Sequence, residues 1–372
     1  MTGAGVDRPA RILWVINGLA RGGAEQLLTQ TARRLDRDRF RVVAVRARSG
    51  DDAMVADLEA AGVRCLDLGV PSIRDPRWVQ ALARVVRGLR PDLIHCHSPV
   101  VGAAARLLAT KGVPVVQHEH SVWSLHHPVT RWLERRTYGR VAASLATSTA
   151  VATDLARWVR PGVDVTVVNP GLDLGDWAVR QPADVTRARA LLGLPSTCRV
   201  VGSVGNLTSL KDHATLLRAV AGLPHGDVHV IVVGFGPQRE ALVSLAITLG
   251  IADRLHLTGS TRDVGAVLPA FDVYVQTSRS EGFGIAALEA MATGIPVVAS
   301  RVGGLAELVE GGAGLAVGPG DVAGFSSAIA GVLENPDAAA EMARRARGVA
   351  ESHPIGPYVE VIDATYRRLL AP

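Results

Sequence analysis

Short apolar runs alternate with stretches of helical periodicity along almost the whole chain. In the first half the runs fall at 11–16, 41–45, 64–67, 93–95, 113–117, 143–147 and 165–168, with helical stretches such as 24–35, 78–89, 100–110 and 150–159 between them. The pattern weakens from Gly171 to Pro195, where Pro182 and Pro195 flank an Arg-rich helix and Gly and Asp accumulate, so a linker is expected there. The alternation then restarts, with strands at 199–204, 228–233, 254–257, 273–277, 296–300 and 314–317. Helices are expected at 214–221, 238–249, 285–293 and 322–333, and two more at 338–352 and 358–370 close the chain. Strand–helix alternation of this kind predicts parallel sheets covered by helices on both faces. The expected fold is therefore α/β, with two doubly wound, Rossmann-like domains whose strand C-terminal edges face a central cleft.

Composition supports this reading and narrows the function classes. The 372 residues suffice for two domains of ordinary size. Apolar residues make up 48 % and aromatics only 4 %, so the core has to be built from Ala, Val and Leu, which suits parallel sheets better than an aromatic sandwich. No uncharged apolar run is long enough to span a membrane, and residues 1–9 lack the apolar centre of a signal peptide and read as a leader without structure. Three scattered cysteines fit a reducing compartment, each as a small buried hydrophobe, and a cytoplasmic location is expected. The net charge of +5 comes from dispersed basic residues with no stripe interleaved with aromatics, so nucleic acid is not an expected partner. Weak attraction to anionic lipid, at the inner face of a membrane, stays open. Only Lys111 and Lys211 are lysines in a chain otherwise cationic through Arg, which draws attention to any Lys in a functional loop.

Three loops after strands carry candidate chemistry. The first, Asn17 to Glu25, contains Gly22-Gly23 at a helix start, where backbone N–H groups can face an anion; a plain flexible turn is the competing reading. Its glycines do not fit the dinucleotide fingerprint, and Arg46-Ala47-Arg48 stands where an acidic ribose ligand would close the second strand, which disfavours a dehydrogenase. The second, Gly205 to His213, holds Lys211, suited to neutralising a diphosphate. The third is Ser280 to Pro296, where Glu281 and Glu289 are separated by seven residues around a Gly282-Phe283-Gly284 turn and a helix start. A helix N-terminus there suits phosphate or sugar hydroxyls, and Glu289, set among apolar neighbours, needs a partner such as a ribose. His118 and His120 end another strand on the cleft side, and one of them could polarise a substrate hydroxyl. His95 and His97 end a strand but are read as pointing to opposite faces, and with no Cys or carboxylate at zinc spacing no metal site is expected. His126 and His127 read as loop surface.

Taken together these residues resemble glycosyltransferase family 4, of GT-B fold, over nearly the whole chain. Gly22-Gly23-Ala24-Glu25 is similar to that family's N-terminal turn, Lys211 to its phosphate-binding Lys, and Glu281 through Glu289 to its paired-glutamate signature. Gly234-Phe235-Gly236-Pro237 and Gly303-Gly304-Leu305-Ala306-Glu307 match further stretches. The resemblance implies a retaining, metal-independent enzyme without a cofactor, transferring sugar from a nucleotide-diphosphate sugar to a hydroxyl acceptor: a glycan, a lipid-linked intermediate or a small metabolite, as in polysaccharide biosynthesis. It implies an acceptor-side domain over 1–178, a donor domain over 190–355, and a last helix, 356–372, returning to the first domain. By resemblance Glu289 holds the ribose and Lys211 the diphosphate, while Glu281 and the backbone of Gly282, Phe283 and Gly284 contact the sugar. Gly22 and Gly23 face phosphate or acceptor, and His120 rather than His118 matches the active-site His. Asn206 stands where the family often has Arg, so half of the cationic clamp is missing unless Arg279, Arg301 or Arg21 substitutes. That departure keeps a catalytically silent sugar-nucleotide binder in play, and a nucleotide-sugar 2-epimerase is the other alternative.

Overall fold

The computed structural model describes residues 8–371 apart from positions 51, 161 and 262, so the first seven residues of the expected leader lie outside the described residues. Every apolar run of the sequence becomes a parallel strand. The first sheet contains β1 (Ala10–Ile16), β2 (Phe40–Arg48), β3 (Arg64–Val70), β4 (Leu93–Cys96), β5 (Val115–Glu119), β6 (Ala143–Ala146) and β7 (Val165–Val167), in the order β3-β2-β1-β4-β5-β6-β7. The second contains β8 (Arg199–Val204), β9 (Val228–Val233), β10 (Leu255–Gly259), β11 (Val273–Gln276), β12 (Val297–Ser300) and β13 (Leu315–Val317), in the order β10-β9-β8-β11-β12-β13. Central strands are apolar on both faces because helices cover both. Ile12, Leu13, Trp14 and Val15 are all buried in β1, and Val228, Val230, Ile231 and Val232 in β9. In each sheet the strand order reverses once, between β1 and β4 and between β8 and β11, and open α/β sheets bind ligands outside the strand C-termini at such points.

The chain divides into two compact units, residues Met1–Pro170 with Ile355–Pro372, and Gly171–Pro354. The expectation of a linker from Gly171 to Pro195 is corrected, because this stretch is packed into the second unit. Its helix, Pro182–Leu191, opens on a capping box of Gln181 and Asp184. Arg180 donates to the carbonyls of Pro269 and Phe271, and Arg347 donates to those of Trp177 and Ala292. Arg189 grips both oxygens of Asp272 at 2.9 and 3.0 Å, while the same carboxylate accepts the Val200 backbone N–H at 2.7 Å. Leu172, Ala188 and Leu194 join the core of the second unit, but they are too scattered to form a periodic stripe, and these polar contacts complete the docking, which is why the composition reads as linker. The last helix, Ile355–Leu370, belongs to the first unit and buries Tyr358, Ile362 and Tyr366 there. The Tyr366 hydroxyl accepts the Trp14 indole N–H at 2.9 Å and meets His95 Nδ1 at 2.5 Å.

Three helices have no counterpart among the sequence expectations: Val55–Ala60, Pro128–Thr137 and Gly303–Leu308. Two are short. The third, Pro128–Thr137, buries Glu134 and Thr137 in place of an apolar face, so hydrophobic periodicity cannot reveal it. Of the thiols, Cys96 and Cys198 are buried as expected, while Cys65 is only half-buried.

Asp272 ties the Pro182–Leu191 helix to the starts of β8 and β11, so Asp272→Ala is expected to destabilise the second unit by about 1–3 kcal/mol. Thermal unfolding of the variant checks this; an unchanged midpoint would remove Asp272 from the packing account.

Candidate active site

In the second unit, the loops following β8 and β11 converge at the strand-order reversal. Lys211, in the loop after β8, and Glu281, in the loop after β11, form an ion pair of 2.6 Å between Nζ and Oε2. The Lys211 stem lies against Gly205. Backbone around Lys211 is fixed by Thr277 at the end of β11, whose hydroxyl donates to the carbonyls of Lys211 at 3.2 Å and Asp212 at 2.8 Å. This clamp holds Asp212 in a left-handed conformation, φ 47°, that non-glycine residues seldom adopt. The Lys211 ammonium is thus set in place by the sheet.

Glu281 is equally constrained. Its Oε2 also accepts from Gln276 Nε2 at 2.5 Å and Ser278 Oγ at 3.1 Å, and the Tyr274 hydroxyl donates to Gln276 Oε1 at 2.8 Å. Gln276 and Ser278 were not among the sequence candidates. The available signal was a polar residue at each alternate position leaving an otherwise apolar strand. Glu281 backbone is locked from the far side by Gly303, φ 51°, where a Cβ would collide with the Glu281 carbonyl oxygen.

The Gly282-Phe283-Gly284 turn leads into the Ile285–Ala292 helix. Gly284 caps it at φ 107°, where a Cβ would also press on Leu305 Cδ1 at 2.8 Å. Phe283 turns its ring into the core of the second unit, so only its backbone can meet a ligand. Glu289 lies one face down that helix and is 3 % exposed. Burial pushes its carboxyl up to about 8. Among the described residues no hydrogen bond reaches that carboxyl, so it is a buried acceptor waiting for donors. Asn206 is half-buried in the Lys211 loop, and no side-chain contact of it is seen among the described residues.

The three substitute cations differ. Arg279 is in the same loop cluster as Lys211, its Nη2 at 3.0 Å from Asp212 and its backbone N–H donated to the Leu210 carbonyl. Arg301 bonds the Ala316 carbonyl at 3.3 Å, and Arg21, in the first unit, pairs with Asp57. Arg279 is the cation beside Lys211.

In the first unit the loops after β1, β4 and β5 carry the candidates. Gly22 is the N-cap of the Gly23–Arg34 helix, and the Glu25 carboxylate leans over it: a Cβ on Gly22 would lie 2.6 Å from Glu25 Oε2. His118 is enclosed, whereas His120 is half-buried and has packing that pushes its pKa down to about 4, leaving it neutral near pH 7. His120 Nε2 meets His97 Nδ1 at 3.2 Å, a partner the sequence did not suggest. The expectation that His95 and His97 point to opposite faces is corrected. Residues two apart on a strand share a face, and the two rings lie 4.0 Å apart.

Beneath this loop runs a buried polar network. Arg106 donates to Gln117 Oε1 at 2.5 Å, Thr137 Oγ1 at 3.1 Å and Glu134 Oε1 at 3.3 Å. His126 bridges Glu134 Oε2 and Ser121 Oγ, each at 3.2 Å. His126 is therefore a link in the network and not loop surface, while His127 is exposed. Burial, together with the charge of Glu134, pushes Glu119 up to about 8.

Known proteins with these features are numerous. The profile described as Glycosyltransferase Family 4 matches residues 21–176, and that of Glycosyl transferases group 1 matches 184–349. A D-inositol 3-phosphate glycosyltransferase of Gordonia bronchialis is 31 % identical over 94 % of this chain and 84 % of its own. That of Saccharomonospora viridis is 33 % identical over 75 % of this chain and 70 % of its own, whereas the match to the Mycobacterium marinum protein spans 45 % of that relative. Among solved structures, HepE of Anabaena in complex with UDP-glucose is 26 % identical over 96 % of this chain and 99 % of that chain, with a TM-score of 0.83. Sucrose-phosphate synthase from Thermosynechococcus elongatus, at 22 % identity and a TM-score of 0.84, shares the fold.

The buried carboxyl of Glu289 makes a pH prediction. Its folded pKa, about 8, is above its unfolded value, so the folded protein holds a proton that the unfolded chain releases. That contribution to stability is complete below about pH 4.5 and is lost as pH rises toward 8. Glu289→Gln removes this dependence, so in thermal unfolding without nucleotide its midpoint should gain on wild type between about pH 5.5 and 8. Parallel pH profiles would refute the assignment.

Proposed function

The chain belongs to glycosyltransferase family 4, and from that premise we propose a retaining enzyme that moves a sugar from a UDP-sugar to the hydroxyl of an acceptor with no metal ion taking part in transfer. The observation that carries this reading is the Lys211–Glu281 pair beside the start of the Ile285–Ala292 helix, with the unpartnered Glu289 on that same helix. UDP as the nucleotide is supported by HepE, at 26 % identity, in complex with UDP and with UDP-glucose.

In this mechanism the ribose hydroxyls donate to Glu289, satisfying the acceptor that burial leaves bare. The diphosphate takes Lys211 from Glu281, with Arg279 beside it supplying charge that Asn206 cannot. Glu281, released, accepts from a hydroxyl of the sugar. The bond from the anomeric carbon to the phosphate oxygen breaks, and Lys211 and the N–H groups at the helix start stabilise the charge gathering on the leaving diphosphate. The acceptor oxygen bonds the same carbon from the same face, and its proton passes to the departing phosphate oxygen. Neutral His120 hydrogen-bonds a substrate hydroxyl and orients it. No protein nucleophile takes part.

The acceptor side has two supports. The names of these relatives point to a phosphorylated polyol such as D-inositol 3-phosphate. One surface of the first unit favours work at a membrane from the cytoplasmic side. There Leu125, Val129 and Trp132 are exposed on or beside the Pro128–Thr137 helix, together with Arg135 and Arg136, and Arg131 is half-buried among them. Among the described residues no carboxylate pairs with those three arginines, and two of them lie over indoles, Arg131 over Trp158 and Arg136 over Trp132. Exposed Trp with unpaired Arg suits an anionic lipid surface. No described helix is long and apolar enough to cross a membrane.

Turnover of UDP-glucose with D-inositol 3-phosphate or a lipid-linked sugar tests the reading, with the anomeric configuration of the product read by NMR. Lys211→Ala should lower turnover by about a hundredfold or more with an unchanged fold. Glu289→Gln should weaken UDP binding about tenfold or more. Thermal stabilisation by UDP without turnover of any donor would mark a binder instead of an enzyme. Wild type should co-sediment with phosphatidylglycerol vesicles at low salt and not with phosphatidylcholine, and Arg131→Glu with Arg135→Glu and Arg136→Glu should abolish it. Equal sedimentation of variant and wild type would sink the membrane reading.

A further inference from the structure

The ends of β4 and β5 bring three imidazoles together inside the first unit, and the proposed transfer uses none of them. His95, His97 and His118 are each almost wholly enclosed, and each offers a ring nitrogen such that the three atoms lie within 4.8 Å of one another. His95 Nε2, His97 Nε2 and both nitrogens of His118 are buried and have no hydrogen-bond partner among the described residues. A buried imidazole nitrogen without a hydrogen bond is disfavoured, and several converging on one point call for an occupant.

The outward nitrogens are already held. His95 Nδ1 meets the Tyr366 hydroxyl at 2.5 Å, and His97 Nδ1 meets His120 Nε2 at 3.2 Å. This is how proteins orient metal-binding histidines: a second atom of the ring is fixed by a neighbour, which sets the tautomer and aims the other nitrogen inward. From this arrangement we propose that His95, His97 and His118 bind one divalent transition-metal ion of the zinc class, through His95 Nε2, His97 Nε2 and a ring nitrogen of His118. An all-imidazole set suits zinc, and about 2.0–2.1 Å from metal to nitrogen requires the three rings to draw in by small rotations. Three protein ligands leave the fourth position to water.

The site is built wholly from residues of the first unit, and its metal has a structural part. It fastens the ends of β4 and β5 beneath the last helix, through the His95–Tyr366 contact. It also fixes the state of His120. With Nε2 on the metal, His97 carries its proton on Nδ1 and donates to His120 Nε2, so His120 presents Nδ1–H outward.

The test uses the full-length chain without a polyhistidine tag. Protein stripped with chelator and dialysed should take up about one equivalent of Zn2+, measured by mass spectrometry of the metal. It should gain several degrees in unfolding midpoint, and Co2+ should give the visible absorption of a tetrahedral or five-coordinate site. His118→Asn and His95→Gln, which keep polarity and approximate size, should lose both uptake and shift. Should either variant fail to fold, titration of the wild-type protein alone decides. Uptake below about a tenth of an equivalent with no change in midpoint overturns the proposal, as does equal uptake by folded His118→Asn. Because the readouts are stoichiometry and stability, they stand apart from whether UDP-sugar is turned over.

Discussion

The ion pair between Lys211 and Glu281 is the contact on which the second unit's chemistry depends. It exists because β8 and β11 are neighbours although far apart in sequence, so the loops leaving their C-termini are brought to one point. A lysine and a glutamate left to themselves on a surface would gain little from pairing. Here each is fixed by separate backbone or side-chain partners: Thr277 behind the lysine, Gln276 and Ser278 beside the glutamate. The backbone and side-chain partners of both charges are therefore in place before any ligand arrives, and binding has to exchange the Lys211–Glu281 pairing for contacts to the ligand. The strained backbone at Asp212 is the local cost of aiming the ammonium there.

Much of this was legible in the sequence, and the reasons for the exceptions are physical. The strands of the described residues were visible, the central ones most plainly, because a strand covered on both faces has to be apolar throughout. Lys211 stood out through the rarity of Lys, and Glu289 through its apolar surroundings. The partners of Glu281 did not stand out, since Gln276 and Ser278 gain meaning only once the loop folds back on its own strand. The Pro128–Thr137 helix was hidden because its inner face carries Glu134, which answers Arg106 some distance along the chain. The segment around Pro182 was misread for a related reason. Arg180 and Arg189 dock it through carbonyls and a carboxylate, and such contacts leave no periodic trace. His95 and His97 were misjudged on geometry alone, since a period of two puts them on one face.

The two units place their polar groups differently. In the second, Glu289 apart, the interior is largely apolar and most buried polar groups gather near the strand ends. In the first, Arg106, Glu134, Glu119 and four histidines lie in or close to the interior. Buried charge of that kind is a weak source of stability but a strict one, since removing a single member leaves others unpaired. The network therefore fixes the loop bearing His120 more firmly than an apolar core of equal size would, at the expense of tolerance to substitution.

The helix Ile355–Leu370 has a consequence for biosynthesis. Trp14 is synthesised 352 residues before Tyr366, and its indole N–H finds that partner only across this separation. The first unit's seven strands are thus made long before the helix that closes over them. The second unit, continuous in sequence from Gly171 to Pro354, can complete itself in the interval. Of the two units, the one whose strands are synthesised first therefore has its closing helix last, and during that wait the inner face of Trp14 and His95 is open to whatever the cell offers to cover it.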